Sequence, residues 1–486
     1  MALAEALPTI DKDRREEDLE ELLEVQRAAF AADPMPSASV RRDRLKRLNN
    51  ALLDYEDRLI KAVDADFGTR AETETRLAEI FPLLEGIRYH SKRVGRWMKP
   101  ARRHTPLTLQ PAKVRVHYQP LGVVGIVSPW NFPIMLGLSP LIGALTAGNR
   151  AMIKMSEFAP HTADVVAEMI ATTYAPEEVT VVRGGKDIAE AFTKLAFDHL
   201  VFTGSTEVGR IVMKAAADNL TPVTLELGGK SPAIIHADFP LDEAARRIAF
   251  GKGINAGQIC IAPDYVLCPT SLVANFVSAF HNVIAEGYPQ MRDNPQYTSI
   301  ITDAQHRRLS DALDDASEKG ATLKVVNPAD ETFTGTRKMP MTIVTDVTDD
   351  MTIMQEEIFG PILPIVPYDT MEDAIAYVNA RARPLALYYF DWDSARGARV
   401  IRETRAGGTC LNDTLSHVIA DDIPFGGIGA SGVGHYHGHE GFLRFSHARG
   451  VVERGKIHPT VKLGPPWSGP LFDTMMRIQR WRLGRM

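Results

Sequence analysis

Three cysteines are spread over 486 residues, too few for a disulfide framework. No two stand at C-x-x-C spacing or with histidines at the spacing of a zinc site. That scarcity makes a reducing cytoplasm the default location, with no metal expected. Secretion is not expected either: the N-terminal stretch, MALAEALPTIDKDRREEDLEELLE, carries acid where a signal peptide needs a basic start and an apolar stretch. Charge of one sign is nowhere concentrated. Lys plus Arg is 55 against 61 for Asp plus Glu, a net charge of -6, and no block is long enough to track a phosphate backbone, which argues against a nucleic-acid partner. Long apolar runs are also lacking. Tyr118 to Asn149 has no charged residue, yet Pro129, Asn131, Pro133, Pro140 and several glycines cut it into a strand, a turn and a buried helix rather than a transmembrane segment.

The length exceeds one ordinary core and predicts two associated domains, or two plus a small appendage. The first hundred residues carry apolar positions three and four apart in REEDLEELLEVQRAAFAA, SVRRDRLKRLNNALLDYEDRLIKAVDADFG and ETRLAEIFPLLEGIRYHSKRVGRWMK, the pattern of amphipathic helices covering a sheet. LTLQPAKVRVHYQPLG then alternates like an exposed ribbon. From Val123 onward strand and helix alternate, which specifies a parallel, doubly wound α/β sheet with ligands at the carboxyl ends of its strands. After Gly228 a second α/β pattern begins, and the chain closes on a short basic amphipathic segment, PPWSGPLFDTMMRIQRWRLGRM, read as a tail.

Several strand ends carry residues suited to chemistry. FTGSTEVGR opens a helix whose backbone amides could face a pyrophosphate, but it lacks the middle glycine of G-x-G-x-x-G. Although Gly204 and Gly209 have P-loop spacing, Arg210 and Ile211 replace the residues phosphoryl transfer needs, and a plain strand-to-helix turn is an equal reading. Lys154 and Glu157 in AMIKMSE suit ribose hydroxyls or, equally, a surface ion pair. Glu226 sits in an apolar strand before two glycines, where burial raises a carboxyl pKa toward that of a general base; a structural amide partner is the alternative. Asn131, between Trp130 and Phe132, is either a rigid donor to a carbonyl oxygen or a turn residue. Cys268 and Cys410 read as inert. Cys260 lies on a glycine-rich loop in GKGINAGQICIAPDYVLC, a setting that suits a thiolate nucleophile toward a carbonyl carbon.

Together with QEEIFGP and PFGGIGASGVGHYHG, these motifs resemble the aldehyde dehydrogenase superfamily from about residue 20 to residue 455, in particular its class 3 and bacterial coniferyl aldehyde branches. The resemblance implies a Rossmann-like cofactor domain (1–104 and 120–226), a second α/β catalytic domain (227–440), a bridging β-ribbon (105–119 and 441–460) and a C-terminal tail (461–486). It makes Cys260 the nucleophile, Glu226 the base for the deacylating water, and Asn131 the oxyanion donor. Lys154 and Glu157 would address the adenosine ribose of NAD, with NADP possible; Gly204, Ser205 and Gly209 would face the pyrophosphate. Glu357 would hold the nicotinamide ribose and Phe359 would pack beside the ring. Met155 and Ala430 depart from common family text, at positions outside the chemistry. The ribbon implies a homodimer, and His417 and Ile419 suit the substrate entrance or, equally, a surface or packing role. The expected reaction is oxidation of an aromatic or medium-chain aldehyde to the acid, through a thiohemiacetal and a thioester. A CoA-acylating dehydrogenase, which would need no Glu226, and a non-catalytic binding protein on the same fold are the alternatives.

Overall fold

The computed structural model describes residues 16–456, 465 and 467–484, so the end of the expected ribbon and the start of the tail lie outside the described residues. The chain divides into two compact units. One runs to Trp97 and again over Pro120–Ser446; the other comprises Met98–Gln119 and the residues from His447 on.

In the larger unit, two sheets follow from two stretches of strand and helix in alternation. The six-stranded sheet has the order Gly432–Val433, Val223–Leu227, His199–Gly204, Val123–Val127, Arg150–Lys154, Val179–Val182. All neighbours are parallel except the first pair. Its central strands are short and almost wholly buried, as expected where helices cover both faces. The seven-stranded sheet has the order Thr322–Val325, Thr342–Thr345, Ile362–Tyr368, Tyr265–Pro269, Pro232–Ile235, Ala386–Phe390, Gly408–Leu411. Only its first pair is antiparallel. Val266, Ile365, Ala386 and Phe390 build one side of its core, Ile234, Leu267, Val366 and Leu387 the other.

Two boundaries differ from the sequence reading. Gly432–Val433 lies in the first sheet, with Gly432 opposite Glu226, so residues placed in the 227–440 segment return to the cofactor-type sheet. A two-residue strand carries no readable period, which is why the pattern missed it. The third N-terminal helix is also not continuous: Glu72–Thr75 passes through a π turn, Arg76–Ile80, into Phe81–Trp97. The smaller unit holds a three-stranded sheet in the order Ala101–Arg102, Ala112–Pro120, Ser446–Arg454. It also holds a helix, Pro470–Leu483, none of whose residues is buried. The expected ribbon boundary at 105 leaves out Ala101–Arg102, which pairs with Arg115 and Val116. Among the described residues no helix is long and apolar enough to cross a membrane.

Candidate active site

Three neighbouring parallel strands, Val123–Val127, His199–Gly204 and Val223–Leu227, end at one cleft of about 240 Å³. Trp130, Asn131, Thr203, Gly204, Ser205, Glu226, Gly228 and Cys260 line it, with Gln305, Arg308, Glu357 and Phe359 from the other half of the unit. This is where an open parallel sheet is expected to take a ligand.

Cys260 follows a turn built from three consecutive left-handed residues: Asn255 at φ 53°, Ala256 at φ 50° and Gly257 at φ 75°. Asn255 and Ala256 pay a steric cost there that glycine does not. At Gly257 a Cβ would lie 2.5 Å from the Gly360 carbonyl oxygen, so the position needs glycine for space as well as for φ. The Cys260 thiol is pushed well above its ordinary range, first by burial and then by the Glu357 and Glu226 carboxylates.

Glu226 is buried, and neither of its carboxylate oxygens has a hydrogen-bond partner. Burial raises its pKa far above the usual carboxylate value, and Arg444 opposes this only weakly. A carboxyl group in that state is a strong proton acceptor once ionised. Asn131 is buried in the turn before the helix Pro133–Ala147. Its Nδ2 donates to the Gln258 carbonyl at 3.1 Å, which occupies one of the two amide hydrogens.

Glu357 is half-buried, with Oε1 shut off from solvent and unpartnered among the described residues, and burial of the carboxyl, reinforced by Asp264, raises its pKa to about 8. A Cβ on Gly228 would sit 2.0 Å from its Oε2, so glycine is what allows the carboxylate to lie there. Phe359 has φ 51° and meets Trp130 edge to face at 5.3 Å. Ser205 caps the helix Thr206–Ala217, its hydroxyl accepting from the Val208 N–H at 3.3 Å.

Other expected residues stand apart from this lining. Lys154 ends the strand next to Val123–Val127, is buried, and donates from Nζ to the Met155 carbonyl at 2.7 Å, with Glu157 Oε2 at 3.6 Å. Burial pulls its pKa down and Glu157 raises it. Gly209 faces inward on its helix, where a Cβ would meet the Leu227 side chain at 2.6 Å. Gly209 thus allows close packing of helix on strand, as the last glycine of a nucleotide-binding turn does. His417 is buried, Nδ1 against Cys410 Sγ at 3.0 Å, rather than at an entrance; Ile419 is exposed.

The sequence reading missed Thr203, whose buried hydroxyl has no partner, and Lys252, whose buried Nζ has none. Burial lowers Lys252 to about 8. A lysine between Gly251 and Gly253, so near Cys260, was the available signal. Tyr436, beside Glu226 and Cys260, also lines a second, nearly closed cavity of about 30 Å³ with Met135, Ile142, Val418 and His437.

Residues 6–451 match the sequence profile described as the aldehyde dehydrogenase family. A curated Pseudomonas aeruginosa protein named "Probable coniferyl aldehyde dehydrogenase" is 55% identical over 460 residues, covering 95% of this chain and 96% of its own. Among solved structures, the substrate-bound state of Staphylococcus aureus AldH superposes with a TM-score of 0.87 at 36% identity, over 96% of this chain and 99% of that one. An aldehyde dehydrogenase of Mycobacterium tuberculosis complexed with NAD+ does so at 0.80 and 31% identity, over 90% of each.

Proposed function

The chain belongs to the aldehyde dehydrogenase family, NAD(P)-dependent enzymes of aldehyde oxidation, and from that premise we propose that it oxidises an aryl aldehyde of the coniferaldehyde type through Cys260, Glu226 and Asn131. The observation that carries the route is the meeting of a thiol, an unpartnered carboxyl and an amide donor in one cleft at the ends of parallel strands. The relative named for coniferyl aldehyde supports the substrate class.

The cleft suits a dinucleotide: Thr203 and Glu357 carry buried, unpartnered oxygens, and Gly204 and Ser205 open a helix onto it. Lys154 and Glu157 would hold the adenosine ribose, Gly204 and Ser205 the pyrophosphate, Glu357 the second ribose, and Phe359 would pack against the nicotinamide. Glu157, by its charge, favours a free 2′-hydroxyl and therefore NAD over NADP. When bound, the dinucleotide supplies the oxidant, taking the aldehyde hydrogen with its electron pair.

The protein's own part begins with Cys260. Its sulfur bonds to the aldehyde carbon as the thiol proton passes to solvent water, and the carbonyl oxygen gains the negative charge of the thiohemiacetal. The free hydrogen of the Asn131 amide and the Cys260 backbone N–H hold that charge. Oxidation leaves a thioester. Glu226 then takes a proton from water, the water oxygen bonds to the acyl carbon, the carbon–sulfur bond breaks, and the acid leaves as the thiol is restored.

Steady-state rates with coniferaldehyde, benzaldehyde and straight-chain aldehydes, each with NAD and NADP, test the substrate class. Cys260→Ala should abolish NADH production while cofactor binding persists. Near wild-type turnover in that variant would remove Cys260 from the route, and preference for straight-chain aldehydes would overturn the aryl assignment.

Two further readings belong to the same proposal. The strand Ser446–Arg454 is the edge of its sheet and largely exposed, a surface that can pair with a second copy in a homodimer; a monomeric mass by light scattering would contradict it. All three cysteines are free, which suits a reducing cytoplasm.

A further inference from the structure

The N-terminal helices and the connection before Glu72 send three charged side chains into the core behind the cleft. Arg70 is almost fully buried, and its Nη1 donates to the Asn131 carbonyl oxygen at 2.9 Å. The guanidinium lies 3.5 Å from Glu74 and 3.3 Å from Glu79, against the rings of Phe67 and Phe132. Glu79, placed within the π turn, accepts from the Ile134 and Met135 N–H groups at 2.8 and 3.1 Å, at the start of the helix that follows Asn131. Glu74 accepts from the Asn255 N–H at 2.6 Å and from the Thr298 hydroxyl at 3.0 Å. Asn255 closes the circuit: its Nδ2 donates at 3.1 Å to the carbonyls of both Asn131 and Gln258. One cation and two anions therefore grip the Asn131 turn on one side and the left-handed turn before Cys260 on the other.

Stability alone does not account for this set. Buried ions lose hydration that their mutual attraction only partly returns, and apolar residues of similar volume often stabilise as well or better. The charges do fix directions, because apart from the Thr298 hydroxyl each of their hydrogen bonds is made to a backbone group at or beside one of the two loops. A π turn is also a frequent feature of functional sites.

Building on the catalytic reading above, we propose that Arg70, with Glu74 and Glu79, is a positioning device that holds the Asn131 amide in register with the Cys260 loop. None of the three needs to touch the aldehyde. Loosening the grip separates the oxyanion donor from the nucleophile while leaving the thiol itself reactive.

The test compares Arg70→Met, Arg70→Lys and Glu74→Gln with the wild type. Three readouts are taken: kcat with aldehyde, cofactor affinity, and the rate at which iodoacetamide alkylates Cys260, followed by peptide mass. Alkylation displaces iodide from a saturated carbon and develops no oxyanion, so it reads the thiol and its loop without the Asn131 donor. Arg70→Met is expected to lower kcat roughly 100-fold with alkylation and cofactor affinity within about threefold, and Arg70→Lys to recover most of the loss. If Arg70→Met does not fold, Glu74→Gln, which keeps an acceptor for the Asn255 N–H but removes a charge from Arg70, should give a roughly 10-fold loss with the same split. Unchanged kcat, or a fall in alkylation in step with kcat, overturns the positioning role. A wild type without Cys260-dependent turnover overturns the catalytic reading, and this proposal with it.

Discussion

Replacing Glu226 by Gln keeps the shape of a fully buried side chain and removes its proton chemistry. Neither oxygen has a partner to lose, so the substitution isolates the carboxyl group. Rate and stability should then move in opposite directions. For rate, a positioned general base is worth roughly 10²- to 10⁴-fold, so steady-state acid formation should fall by about that factor. The first turnover, which acylates Cys260, should survive as a burst of NADH.

For stability the sign follows from the raised pKa. The folded protein keeps a proton on Glu226 that the unfolded chain releases above the ordinary carboxylate pKa, so the wild type loses stability as pH rises through that window. The loss for this one group is at most about 1.4 kcal/mol per pH unit. The amide variant escapes it. Glu357, raised to about 8, has the same sign but is present in both proteins and cancels in the comparison. Urea midpoints between pH 5 and 8, set beside burst and steady-state rates, provide the assay. A stability gap that does not widen in favour of the variant as pH rises would refute the burial argument. Unimpaired acid formation would refute the base and favour acyl transfer to a thiol such as coenzyme A.

Gly228→Ala puts a Cβ 2.0 to 2.4 Å from the Glu357 carboxyl atoms and must displace them; cofactor affinity by fluorescence titration should fall by roughly tenfold or more while Cys260 alkylation is unchanged, in keeping with the cost of misplacing a positioned group. His90 and His199 are lowered to about 3, and His417 and His437 to about 4, all chiefly by burial. The unfolded chain takes protons that these four refuse in the fold, so their contribution to stability should drop as pH falls from 6.5 toward 4, by up to about 1.4 kcal/mol per unit for each histidine, against the opposite trend of Glu226 and Glu357. Replacing His417 by Asn removes one such contribution, and a urea-midpoint gap between that variant and the wild type that stays constant across the range would contradict burial of His417 as a neutral group.

The two α/β patterns were legible because short apolar strands, bounded by glycine and proline, alternate with amphipathic helices. The helices Pro160–Thr173, Lys186–Lys194 and Thr206–Ala217 fall within that alternation. Sequence alone could not show that the space a Cβ would take at Gly209 is filled by the Leu227 side chain. Glu79 and His90 occupy the inward positions of an otherwise apolar helix stripe, between Thr75, Leu83 and Val94. A carboxylate on such a stripe was a signal of buried function, though the backbone N–H groups it meets, at Ile134 and Met135, lie more than fifty positions away.

What the sequence determined by itself is the set of reagents and their local frames: a thiol on a glycine-rich loop, a carboxyl in an apolar strand, an amide between aromatics, and the parallel sheets that bring strand ends together. Local pattern suffices for these because period, turn chemistry and side-chain type act over a few residues. Only the tertiary structure decided their relations. It shows that Glu226 has no hydrogen-bond partner among the described residues, that Glu357 rests where Gly228 leaves room, and that Arg70, Glu74 and Glu79 tie the Asn131 turn to the approach to Cys260. Burial and long-range hydrogen bonding belong to the folded chain as a whole, and no window of sequence contains them.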